Sequence, residues 1–133
     1  NKDLKEKSSY LVKIASLLIH AAKIDENYTS EEEEIIKRTL LEIGAKQNEV
    51  EALMISAKQN EAKANQILDF TREIKTMDEK DKIKIIKSLW RIIYSNKDAD
   101  IYETNLMRRL SGLLYIDSKI MGDIKEQIIK ENS

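Results

Sequence analysis

Along almost the whole chain, apolar residues recur at three- and four-residue steps, the spacing with which an α-helix turns one face to a core. Tyr10, Leu11, Ile14, Leu17, Leu18 and Ala21 predict a first helix ending near Ile24. Thr29 and Glu32 are spaced as a capping box, in which each side chain satisfies a free backbone N–H, so a second helix starts there. Its stripe is Ile36, Leu40 and Ile43, and Gly44 stands where a left-handed C-terminal cap is wanted. Val50, Leu53, Met54 and Ala57 mark a third helix, and Ile67, Leu68, Phe70, Thr71 and Ile74 a fourth. The polar stretch from Asn60 to Asn65 reads equally as a break or as the middle of one long helix. Asp78 is placed to cap a fifth helix, whose stripe of Ile83, Ile86, Leu89, Trp90 and Ile93 is the most apolar and predicts the central core helix. Asp100 with Glu103 opens a sixth, carrying Leu106, Met107, Leu110 and Leu113. Asp117 or Ser118 caps a seventh with Ile120, Ile124 and Ile128. One core should bury Leu18, Ile36, Leu89, Trp90 and Leu110 together.

Sliding the chain on itself by 71 lays Leu18 to Arg38 over Leu89 to Arg109. Glu32 then falls on Glu103, Arg38 on Arg109, Ile35 on Leu106, and Asp25 on its near isostere Asn96. Two similar helical hairpins are implied, with the repeat spanning about 18–43 and 89–114.

Composition supports this all-α reading. There are no prolines and three glycines, which leaves few chain breakers. At 133 residues, 41% apolar and 35% charged, the chain fits one globular domain over 1–133. The absence of cysteine excludes disulfides, thiolate zinc sites and thiol nucleophiles, and is compatible with the cytoplasm, the expected location. The apolar run from Ile14 to Ile24 is interrupted by Ser16 and His20 and falls short of the ~20 residues that span a bilayer, so no direct membrane insertion is expected. Asn1 is not methionine, so removal of an N-terminal segment is compatible with the chain. Basic and acidic side chains nearly cancel to a formal charge of −1, and Arg91, Lys97, Arg108 and Arg109 lie among acids, so nucleic acid is not an expected partner.

The first acidic loop places oxygen ligands at alternate positions, Asp25, Asn27 and Thr29, as a hard cation requires. The second does so with Asn96, Asp98 and Asp100. Neither fits the EF-hand, which needs glycine at its sixth position and glutamate at its twelfth; Ser30 and Ile36 stand there in the first loop, Ile101 and Met107 in the second. A metal would need a different, shared arrangement drawn from Asp25, Glu32, Asn96, Asp98, Asp100 and Glu103, with calcium or magnesium as the candidate cofactor. Helix capping and the helix dipole alone account for the same acids. His20 is the single histidine and has no nucleophile pattern beside it, so it reads as an ordinary, locally bonded side chain. Trp90 and Tyr94, one helical turn apart, read as core or interface. No phosphate loop is present and no apolar pocket motif singles out a carboxylate pair, so no catalytic residue is assigned.

The segments "IHAAKIDENYTSEEEE" (Ile19 to Glu34) and "LWRIIYSNKDADIYETNLMRRLSGLL" (Leu89 to Leu114), with "DFTREI" from Asp69 to Ile74 between them, resemble the tellurite-resistance protein B (TerB-like) family over about residues 9–130. In that family each half has a helix ending in Ala-x-x-Asp-Gly, a short loop, and a glutamate seven residues beyond the Asp. Asp25 and Glu32 match the first motif and Glu103 the second. Glu26 and Lys97 replace the glycines and Asn96 the second aspartate, so the second loop has lost an acid and gained a base. The resemblance implies a compact bundle of about seven helices in two pseudo-symmetric halves, of bacterial origin. It also implies a link to tellurite resistance and stress responses, divalent-cation binding at acidic loop residues, and membrane-bound partner complexes.

The expected function is therefore a non-enzymatic binding or scaffold module with a protein partner, binding divalent cations weakly at the acidic loops. The alternative is a structural interaction domain, at most a weak homodimer, whose acids only cap helices. A hydrolase that borrows a metal at the carboxylates is the third reading.

Overall fold

The computed structural model describes the backbone of residues 2–24, 28–64, 66–95 and 101–131, and side chains from residue 8, those of 101–103 excepted. Seven α-helices are found among these residues: α1 (Lys2–Ala22), α2 (Ser30–Ile43), α3 (Val50–Lys63), α4 (Leu68–Ile74), α5 (Glu79–Tyr94), α6 (Ile101–Leu113) and α7 (Ser118–Glu131). No strand occurs among the described residues. One apolar cluster joins all seven helices and contains Leu18, Ile36, Leu89, Trp90 and Leu110. No described helix is long and apolar enough to cross a membrane.

The centre is α1 rather than α5. Every residue from Ile14 to Ile19 is at most 1% exposed, and α1 packs against α2, α3, α4 and α5. A helix enclosed on all sides needs apolar residues all round and not a stripe, and the run from Ile14 to Ile19 supplies them. Ser16, the polar residue in that run, donates to Val12 O (2.7 Å) and to Ala57 O (3.3 Å) and accepts from Asn60 Nδ2 (2.9 Å). It thereby ties α1 to α3 without leaving a buried hydroxyl unpaired. Helix α5 has a half-exposed side, so Ile83 is only partly buried.

Helix ends follow local chemistry. Gly44 closes α2 at φ 122°, with its N–H on Leu40 O and Leu41 O (both 3.2 Å), and Ala45 N–H reaches Leu40 O (2.8 Å). A 3-10 turn, Gln47–Glu49, then leads into α3. The chain breaks at Ala64, so α3 and α4 are separate helices. Asp117 caps α7 by accepting from Lys119 N–H at 2.8 Å. Asp78 occupies the N-cap of α5, but its side chain makes no capping bond.

The register shift of 71 extends to the ends of α2 and α6. It carries the cap Gly44 onto Tyr115, the only non-glycine residue with positive φ (57°) among those described. Ile116 N–H reaches Ser111 O at 2.9 Å, as Ala45 reaches Leu40. Packing of α1 on α3 recurs as α5 on α7, whereas the packing of α1 on α2 has no comparable counterpart between α5 and α6 among the described residues.

Candidate functional site

The N-terminus of α2 is built by Thr29 and Glu32. Thr29 is extended (φ −97°, ψ 161°) and its Oγ1 accepts from Glu32 N–H at 3.1 Å, while Glu32 Oε1 accepts from Thr29 N–H at 2.8 Å. The reciprocal box expected from the spacing is thus present, and Glu32 is 1% exposed. Glu31, Glu32 and Glu33 place negative charge in the first turn, where unpaired N–H groups give the helix its positive end. Glu33 pairs with Lys58 of α3 at 2.6 Å, whereas Glu31 and Glu34 face outward.

Beside this end lies an open cleft of about 490 Å³ between α1, α2 and α3. Its rim is set by paired charges: Lys23 Nζ to Glu61 Oε2 at 2.8 Å on one side, Lys58 to Glu33 on the other. His20 Nδ1 lies 3.5 Å from Glu61 Oε1, and its ring packs 5.9 Å from that of Phe70. Tyr28 lines the cleft with a buried hydroxyl that has no hydrogen-bond partner among the described residues. Burial pushes its phenol well above the ordinary value, and the charges of Glu33 and then Glu32 push it further. It therefore remains a protonated donor.

Of the six residues proposed as metal ligands, Glu32 alone has a described side chain. Asp25, Asn96, Asp98 and Asp100 lie outside the described residues, as does the side chain of Glu103, so the Asp100 and Glu103 box lies outside them too. Among the described residues no group of three or more His, Asp or Glu could hold a metal ion. Trp90 belongs to the core at 4% exposed, its ring stacked 5.9 Å from Tyr94 and covered by Lys125 at 5.4 Å. Sequence reasoning missed Lys23, Lys58 and Glu61, because each finds its partner on another helix and no local spacing announces it. Tyr28 carried one signal, an aromatic ring in an otherwise polar loop.

A family model described as tellurite resistance protein TerB matches residues 11–126, most of the chain. No curated protein and no solved structure matches.

Proposed function

Because the chain belongs to the tellurite resistance protein TerB family, we propose that it is a non-enzymatic binding module whose acidic interhelical loops bind divalent cations weakly, in a bacterial stress response. The observation that carries this reading is the run of acids at the start of α2. Glu31, Glu32 and Glu33 stand in its first turn and Asp25 precedes them in sequence, which gathers carboxylate oxygens of the kind a hard cation takes. Such a cation would draw on Asp25 and Glu32 in the first loop and on Asn96, Asp98, Asp100 and Glu103 in the second. The adjoining cleft has room for part of a partner, and its paired lysines and glutamates offer exchangeable polar contacts.

The second reading is an interaction domain whose acids serve only the fold, and the complete Thr29 and Glu32 box favours it. The two readings separate on melting temperature. Millimolar calcium, magnesium or manganese should raise Tm of the native sequence, and Asp25→Ala should abolish that rise while leaving the apo protein no less stable. Glu32→Ala should lower apo stability by about 0.5–2 kcal/mol, because it removes half of the box. If no cation moves Tm and Glu32→Ala alone destabilises, the acids are caps.

A further inference from the structure

A second surface lies away from the acidic loops. Between α4 and the end of α6 runs a groove of about 140 Å³, floored by Leu68 and Leu113 and edged by Arg72, Lys75 and Tyr115. It is below the roughly 300–1,000 Å³ of cavities that enclose small molecules and accommodates a single side chain. Tyr115 stands 72% exposed and Leu68 37% exposed beside it.

The charge around this groove is one-sided. The ammonium groups of Lys75 and Lys82 each lie 5.9 Å from the Tyr115 ring centroid, on a ring that attracts cations. Lys82 is only 7% exposed, so its packed stem restrains where the ammonium can go. Arg72, Lys75 and Lys82 form no ion pair among the described residues, a condition shared with other cations such as Lys13, Lys63 and Lys87. No carboxylate lines the groove. The acids of α4, Asp69 and Glu73, line the neighbouring cleft with Lys13, Lys63, Leu68 and Arg72, and Glu73 accepts from Ser9, so Arg72 stands between that cleft and the groove. Asp117, next along the chain, is engaged in capping α7.

We propose that this groove receives an acidic segment of a partner protein, with one apolar side chain seated beside Tyr115 and its carboxylates against Arg72, Lys75 and Lys82. The complement of an apolar notch ringed by unmatched cations is an apolar residue flanked by acids. A protein segment fits better than an anionic bilayer, because the notch takes one side chain, and a surface-bound helix instead needs a broad apolar face. The chain's net charge of −1 also gives no general attraction to anionic lipid. The proposal does not depend on cation binding at the loops.

The test is fluorescence anisotropy with a labelled peptide of glutamates flanking one leucine, beside a control in which lysines replace the glutamates, with amide shifts mapped by NMR. The acidic peptide should bind saturably, more weakly as salt rises, and shift Lys75, Gly112 and Tyr115. Lys75→Met and Lys82→Met, which keep the apolar stems, should together weaken binding about tenfold. Tyr115→Gly should weaken it while keeping the left-handed turn, which separates loss of binding from loss of fold. Equal binding of the lysine control, unchanged affinity in the variants, no saturable binding at millimolar peptide, or preference for phosphatidylserine vesicles over the peptide would each overturn the proposal.

Discussion

At the end of α2 the chain turns left-handed on Gly44, and at the end of α6, 71 residues on, it does so on Tyr115. The backbone bonds that follow are equivalent, Ala45 to Leu40 in one and Ile116 to Ser111 in the other, and both Ala45 and Ile116 are buried. The bonds and the buried residue after the turn therefore define this cap, and glycine only eases it. Where tyrosine takes the position, its backbone is strained and its ring is thrown into solvent at 72% exposure. A side chain held there against a conformational cost points to use of the ring.

The sides of the two hairpins diverge similarly. His20 on α1 and Lys23 just past its end meet Glu61 on α3, and Arg91 on α5 meets Glu131 on α7 at 3.3 Å, so a polar clasp is kept with different residues. By contrast, Ile19 in the first cleft corresponds to Trp90, Lys23 to Tyr94, and Lys58 to Ile129. The first hairpin is charged where the second is aromatic and apolar.

The largest effect should come from Gly44→Ala. At φ 122° an L residue is strained beyond the ordinary left-handed region, and the substitution should cost about 1–3 kcal/mol and lower Tm by several degrees. Tyr115→Gly should move stability the other way, by about 0.5–1 kcal/mol, since relief of left-handed strain outweighs two weak cation contacts on an exposed ring. Thermal unfolding of the two variants checks both signs. If Tyr115→Gly were instead destabilising by more than about 1 kcal/mol, the ring would be a structural element, and the strain account of α6 would fail.

Much of this was legible in the sequence because it is local. Apolar spacing found all seven helices, the Thr29 and Glu32 spacing gave a box that forms, and Gly44 marked a true cap. What depends on tertiary placement was not legible. The stripe of α5 outweighed the shorter but all-round apolar run of α1, so the wrong helix was expected at the centre. Asp78 stands at the right position without making the bond that its residue type permits. Tyr115 gave no signal, because nothing in residue type marks a tyrosine for positive φ. Lys58 and Glu33 lie 25 residues apart and meet only when α3 folds back on α2.

That last pair supplies the smallest and most selective probe of the difference between hairpins. The hydrogen bond from Lys58, aided by the charges of Lys58 and Lys37, holds the Glu33 carboxyl below the ordinary carboxylate range, against the opposing effect of burial. A folded value below the unfolded one means that the pair stabilises the protein above the unfolded value, and that this stability is lost as pH falls through the folded one. Glu33 is partly exposed, so solvent screening limits the contribution to less than about 1 kcal/mol. In the second hairpin the equivalent positions are Thr104 and Ile129, which cannot form such a pair. Lys58→Met should therefore flatten the acid limb of the stability profile slightly, measured by urea unfolding from neutral pH down through the carboxylate range. Ile129→Lys, which installs the cation without its acid, should leave that limb unchanged. Were the two substitutions to move the limb by like amounts in opposite directions, as their opposite changes of net charge would require, the acid sensitivity would reflect overall charge, and the asymmetry between the hairpins would have no part in it.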